Sequence, residues 1–202
     1  LDVGCGPAES TVCLRRHFGE GTRLVGLDVG WDSVAFGRAL ARANEHAVDF
    51  LQGDGTALPL RDGSLDLVVS MELIEHLPAW EATLAEWCRV LKPDGYLCFT
   101  TPTPRGLHTL VKHAFVGLHL NRLSWRHRRM SYERFLHPGE VDRSLRALGC
   151  VLRRREAGLF VFSFLPDWLY PANAAVERWL ERIPGTGWSG VTAFYLYQKA
   201  AG

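Results

Sequence analysis

The chain has no initiator methionine, no C-x-x-C motif, no long apolar run and no surplus of either charge. Each absence closes off a class of protein. The cysteines are odd in number (Cys5, Cys13, Cys88, Cys98 and Cys150) and none is paired at metal or redox spacing, so reduced thiols in a cytoplasmic compartment are expected. No apolar stretch approaches the roughly 18 residues that a membrane span needs. With 23 basic and 22 acidic residues the net charge is +1, which gives no global field toward nucleic acid or an anionic membrane. Repeats and low-complexity segments are also missing, and no signal peptide is visible. Leu1 reads as the middle of a strand, so the expectation is an N-terminally truncated domain whose first strand begins earlier.

What is present is the composition of a soluble globular domain. Hydrophobic residues make up 47% and charged residues 22% of 202, enough for one full core. Short apolar runs alternate with amphipathic ones. Strands are expected at "LDVG", 23–29, 48–53, 65–71 and 96–101, and helices at 9–18, 32–45 and 79–91. The turn "KPDG" separates the last helix from the last strand. This alternation predicts an α/β fold with a parallel sheet and crossover helices. After Thr101 the pattern changes. A helix near 107–118, a basic stretch, a helix over 137–149 and a helix near 172–183 are expected, with strands at "CVLRRREA" and "VTAFYLYQKA". Pro138 opens the 137–149 helix and Gly149 closes it.

The opening "LDVGCGPAES" sets Asp2, Gly4 and Gly6 on a strand-to-helix turn. Glycine there lets the backbone approach a ligand closely. The spacing is not the G-x-G-x-x-G of dinucleotide folds, and Glu9 at the helix start would repel a pyrophosphate. A nicotinamide dehydrogenase is therefore disfavoured. A cofactor without phosphates fits better, and S-adenosyl-L-methionine (SAM) is one. Asp28 ends the second strand, where a carboxylate can accept the ribose hydroxyls. Asp54 follows the third strand and can accept the adenine amine. Any one of these acids alone is equally well read as a cap or turn residue; the three in order at successive strand ends point to one crevice.

"LDVGCG", "GLDVG", "GDGTALPLRDGSLDLV", "MELIEHL" and "RVLKPDGYL" resemble, in order, the class I SAM-dependent methyltransferases of the methyltransferase type 11 kind, over residues 1–101. The resemblance implies a Rossmann-like, seven-stranded, mostly parallel sheet with helices on both faces and an antiparallel last strand. It implies that Gly4 and its neighbours Asp2, Cys5 and Gly6 meet the methionine part of SAM. Asp28 would meet the ribose, Asp54 and Gly55 the adenine, and the Met71 carbonyl the amino group, with Val29 a further cofactor contact. Ala8 departs from the family, which usually has glycine there, and weaker or shifted SAM binding is expected. Residues 1–101 would form the cofactor half of a single domain, and 102–202 the substrate half with insertions at about 102–131 and 159–185.

Glu72, Glu75 and His76 fall at i, i+3 and i+4, one face if the stretch is helical. Two readings stand. Two carboxylates and an imidazole can hold Mg²⁺, which would ionise a substrate hydroxyl, with Glu72 and His76 as catalytic residues. Alternatively Glu75 and His76 serve packing, and His76 acts as a general base on its own. The E-x-x-E-H pattern resembles the O-methyltransferases of ubiquinone biosynthesis, and also small-RNA 3′-end 2′-O-methyltransferases.

"SWRHRRMSYERFLHPGEV" is similar to the matching segment of the ubiquinone-type enzymes. Its Arg122, Arg126, Arg128 and Arg129 read as a solvated face, as an anionic-lipid or phosphate contact, or as an RNA contact. The patch is short and the chain near neutral, which argues against nucleic acid as the main partner. "LFVFSFLPDWLYP" (159–171) reads chiefly as core, and also as an apolar lid that suits a lipophilic acceptor or a peripheral membrane contact. The expected function is methyl transfer to a small lipophilic hydroxyl acceptor. The rivals are an RNA 2′-O-methyltransferase and a SAM-binding module without activity. The oligomeric state is not legible.

Overall fold

The structure, a computed structural model, describes residues 1–103, 134–158 and 192–201. In chain order these residues form β1 (Asp2–Val3), α1 (Glu9–Phe18), β2 (Val25–Asp28), α2 (Trp31–Ala43), β3 (Asp49–Gln52) and β4 (Leu65–Met71). They continue with α3 (Trp80–Val90), β5 (Leu91–Pro102), α4 (Pro138–Ala147), β6 (Cys150–Gly158) and β7 (Thr192–Lys199). The described strands make one seven-stranded sheet in the order β3-β2-β1-β4-β5-β7-β6. β7 is antiparallel to both β5 and β6, and the pairs from β3 through to β5 are parallel. The strand order reverses at β1, between β2 and β4. In an open α/β sheet the crevice beyond the carboxyl ends of such strands is where ligands bind.

Periodicity explains the helices. In α3 the buried residues Trp80, Thr83, Leu84, Trp87 and Cys88 recur at helical spacing and form one stripe. Val34, Gly37 and Ala41 do the same in α2. β4 buries Val68, Val69 and Ser70 in succession, as a strand covered on both faces must. Helix α4 starts at Pro138, where no amide hydrogen is missed, and Gly149 just beyond its end takes a left-handed φ of 75°.

Two cores lie on the sheet. The larger joins α3 and α4 to Leu97, Phe99, Tyr195 and Tyr197. Phe99 stacks on Tyr195 with ring centroids 4.9 Å apart. Each such fully buried large side chain contributes about 1.5–3 kcal/mol. The smaller core joins Cys5, Ala8, Val34, Ala41 and Phe50 under α2. Phe50 lies where side chains on Gly26 and Gly37 would stand: a Cβ on either glycine would come within 2.7 Å of its ring. Lys199 Nζ donates to the carbonyls of Cys88 and Leu91, both at 2.8 Å, and so satisfies the α3–β5 junction.

One boundary differs from the sequence expectation. The strand does not wait for the end of "KPDG" but begins at Leu91, which pairs with Leu65, and resumes with Leu67 opposite Tyr96. The four residues between form a bulge, with Asp94 at φ 61°. Gly95 is required there, because a Cβ would stand 2.9 Å from the Lys92 carbonyl oxygen.

Candidate active site

The turn after β1 carries three left-handed residues, Gly4 (φ 70°), Gly6 (φ 49°) and Ala8 (φ 64°). The amides of Gly4 and Cys5 both donate to the Leu27 carbonyl, at 2.8 and 3.1 Å. Asp28 completes the cradle. Its Oδ2 accepts from the Gly6 amide and its Oδ1 from the Gly30 amide, each at 2.8 Å. One carboxylate thus fastens the loop after β1 to the loop after β2. Each oxygen keeps a second acceptor site. A Cβ on Gly6 would meet nothing within 4 Å among the described residues.

Asp2 lies beneath this cradle, fully buried. Its Oδ2 accepts from Ser10 Oγ at 3.0 Å and Thr11 Oγ1 at 2.6 Å. Burial pushes its pKa up, and Oδ1 has no hydrogen-bond partner among the described residues. Its position ties α1 to the strand, a connection that the sequence signals only through the hydroxyls of "ST" at the helix start. Cys5 is also buried, and burial followed by the charges of Asp2 and Asp28 pushes its thiol up to about 12. It is a neutral packing group at ordinary pH.

Asp54 opens a tight turn. Its Oδ1 accepts from the Thr56 amide at 2.8 Å and from Thr56 Oγ1 at 2.7 Å, and these bonds hold its pKa below the usual value. Next to it, the Gly55 carbonyl accepts from Trp87 Nε1 at 2.9 Å. The segment that follows is held by α3. Glu86 accepts from the Leu58 amide, and Arg89 donates to the carbonyls of Leu58 and Leu60 and to both Glu86 and Asp62. Nothing in the local sequence announced this clamp. Val29, beside Asp28, is 73% exposed and offers an apolar surface at the crevice.

The segment after β4 departs from a single helical face. Only Ile74–His76 forms a helical turn, of the 3-10 kind, and Glu72 precedes it with φ 50°. The Glu72 amide donates to Thr100 Oγ1 at 3.1 Å, and its side chain is exposed. Glu75 is 2% exposed, and its Oε2 has no hydrogen-bond partner among the described residues. Burial, with a smaller push from Glu72, raises its pKa to about 7. His76 Nε2 stands 3.9 Å from Glu75 Oε1. No group of three or more His, Cys, Asp or Glu among the described residues is arranged to hold a metal ion. The Mg²⁺ site expected of Glu72, Glu75 and His76 thus has no preformed cluster among the described residues: Glu75 is buried in the protein, and Glu72 stands on a left-handed residue ahead of the helical turn.

Met71 ends β4 half-buried, and its Sδ accepts from Thr100 Oγ1 at 3.7 Å. Leu73, which the sequence did not single out, leans over the cradle. It lies close to the positions that side chains on Gly4 and Gly55 would occupy. The Arg134 amide donates to the Glu75 carbonyl at 2.9 Å. The basic stretch with Arg122, Arg126, Arg128 and Arg129, the helices near 107–118 and 172–183, and the apolar stretch 159–171 lie outside the described residues.

With this geometry in view, the likenesses to known proteins are informative. Residues 1–99 match the family model described as a methyltransferase domain. A fatty-acid O-methyltransferase of Mycolicibacterium smegmatis is 32% identical over 181 residues, 88% of this chain and 61% of that protein. A demethylmenaquinone methyltransferase of Shouchella clausii is 34% identical over 106 residues, 52% of this chain and 45% of that protein. The chain thus spans less than two thirds of the length of either relative. Among solved structures, the cyclase SpnF superposes with a TM-score of 0.68 at 22% identity, over 100% of this chain and 74% of that one. At that identity the likeness establishes the fold alone.

Proposed function

Residues 1–99 match the family model of a methyltransferase domain, and from that likeness we propose that the chain transfers a methyl group from SAM to an oxygen of a small lipophilic acceptor, with a fatty-acid carboxylate first among the candidates. The observation that carries the acceptor is the extent of the likeness. The fatty-acid O-methyltransferase matches over 181 residues, well into the half beyond the family model, whereas the menaquinone enzyme matches over 106.

The cradle supports SAM as the donor. Gly4 and Gly6 hold left-handed backbone conformations suited to a close approach by the methionine part, and among the described residues no side chain fills the space beside Gly6. Asp28 has a spare acceptor site on each oxygen for the ribose hydroxyls. Val29 would lie against the adenine, and Asp54 with Gly55 would bound its edge. The Met71 carbonyl would accept from the amino group. When bound, SAM supplies a sulfonium that is already an activated methyl donor. The task left to the protein is to align an oxygen with that methyl and to exclude water.

A carboxylate acceptor arrives ionised and needs no base. For a hydroxyl acceptor we assign the proton to His76, whose side chain is one-third exposed at the end of β4. The buried Glu75 stands behind it as a positioning residue.

The test is transfer of labelled methyl from SAM to a panel of a medium-chain fatty acid, a long-chain fatty acid, a lipophilic phenol and a short RNA. Labelled methyl ester from the fatty acids is expected. Transfer to RNA alone, or SAM binding without transfer to any acceptor, would overturn the reading.

A further inference from the structure

A second cavity, of about 500 Å³, lies away from the cradle, between α2 and the β2–β3 edge of the sheet. Three arginines line it, Arg23, Arg38 and Arg42, together with His46, and Asp49 is the one acidic residue in its wall. Arg23 precedes β2, His46 lies in the α2–β3 connection and Asp49 opens β3. The cavity therefore opens toward the amino ends of these strands, whereas Asp28 and Asp54 stand at the carboxyl ends.

The cationic groups are partly pre-positioned. Arg38 donates from its Nη2 to the Phe50 carbonyl at 2.8 Å, and its guanidinium carbon lies 5.6 Å from the centre of the Trp31 ring. That leaves its other N–H groups without a hydrogen bond among the described residues. Arg23 pairs with Asp49 at 3.6 Å, with both side chains well exposed. The Arg42 side chain has no hydrogen bond or ion pair among the described residues. His46 Nε2 is buried without a hydrogen-bond partner among the described residues, and its Nδ1 is 3.9 Å from the exposed Glu20. Three arginines against one aspartate leave two positive charges without a counterpart in the wall. Behind them the floor is apolar, with Phe50 and Leu51.

We propose that this cavity binds a phosphoryl group, as free phosphate or as the head of a phosphoester whose organic part rests on the apolar floor. The charge decides between anions. A carboxylate carries one charge and two oxygens in a plane. A phosphoryl dianion matches the two uncompensated charges, and its tetrahedral oxygens can be reached from the start of β2, from α2 and from the α2–β3 connection together. Guanidinium groups suit it, since each offers paired donors in a fixed fork.

The experiment is titration of inorganic phosphate into the chain, with chloride at matched ionic strength as control, in the absence and presence of S-adenosylhomocysteine. A parallel arm measures binding to phosphatidylcholine vesicles with and without phosphatidic acid. Saturable phosphate binding, weakened about tenfold in Arg42→Ala, is expected. Arg42 is exposed, so this variant should keep its fold, which circular dichroism checks. Binding to phosphatidic acid vesicles alone, weakened by the same variant, also supports the site and identifies a lipid headgroup as its source. Phosphate no better than chloride with no vesicle binding, binding indifferent to Arg42→Ala, or displacement by S-adenosylhomocysteine would each overturn it. The phosphate titration is read without the cofactor product as well, so a failure of the methyl-transfer reading is distinguishable from a failure of this one.

Discussion

Leu73 Cδ2 stands 2.6 Å from the point where a Cβ on Gly4 would be. The two residues come from the loops after β4 and β1, so the cradle is closed by contact across the switch point of the sheet. Gly4 also has a φ of 70°, which costs roughly 1–2 kcal/mol for a residue with a side chain. Gly4→Ala should therefore weaken S-adenosylhomocysteine binding at least about tenfold and lower stability by about 2 kcal/mol. Leu73→Ala added to it should recover only part of the stability, because it removes the clash and leaves the strain. Calorimetric titration and urea melts of both variants check this.

Asp28 makes a second prediction. It holds two loops by charge-assisted bonds from backbone amides, each worth about 1.5–3 kcal/mol. Asp28→Ala should lose cofactor binding and destabilise the fold by about 2 kcal/mol or more. Asp28→Asn keeps one acceptor oxygen but turns an amide toward a donor, and should fall between Ala and the parent. The ordering, measured by titration and thermal melting, distinguishes a cradle fastener from a simple ribose contact.

Glu75 should make stability depend on pH. Burial raises its pKa from about 4.5 in the unfolded chain to about 7 in the folded one. The folded state thus favours the neutral carboxyl. Its penalty is absent below pH 4.5, grows from there to about pH 7 and is constant above. The full span is at most about 3 kcal/mol. Glu75→Gln should flatten this slope and be more stable than the parent at pH 8. Urea melts between pH 4 and 8 measure it, and an unchanged slope in the variant would rule out Glu75 as its source.

The placement of Glu72 and Glu75 bears on metal. Since no group of three or more His, Cys, Asp or Glu among the described residues is arranged to hold a metal ion, methyl transfer should be unaffected by EDTA, and Glu72→Ala should keep the parent rate within about twofold. A loss of rate on chelation that Mg²⁺ restores would show that the loop rearranges to build the site.

Much of the cofactor half was legible in the sequence. The bounds of α1 and β4 match the expected 9–18 and 65–71 because each carries one clear apolar pattern between Gly-rich or polar turns. Asp28 was legible as a strand-end carboxylate, but not the two backbone amides, from different loops, that it accepts from. Glu72 was misleading: spacing suggested a helix, but the amide bond to Thr100 holds it in a left-handed conformation that only the neighbouring strand imposes. The Glu86–Arg89 clamp was invisible, since its bonds to the 58–62 segment reach 27 or more residues back along the chain. The arginine-lined cavity escaped for the same reason: Arg23, Arg38 and Arg42 are unremarkable until α2 is folded onto the sheet edge.

The unusual Ala8 is housed by an absence elsewhere. Its Cβ lies 2.9 Å from where a Cβ on Gly37 would be, and Ala8 itself is fully buried. The loop and α2 thus share the volume of a single methyl group, which at present belongs to the loop. Moving it is asymmetric. Ala8→Gly trades relief of left-handed strain against a lost buried methyl, terms of about 1 kcal/mol each, and should be nearly neutral. Gly37→Ala forces two carbons and the Phe50 ring into one space and should be costly, the more so with Ala8 in place. Positions 8 and 37 therefore draw on one volume that the Phe50 ring also bounds, and a methyl can appear at position 37 only after the loop methyl and the ring have both given way.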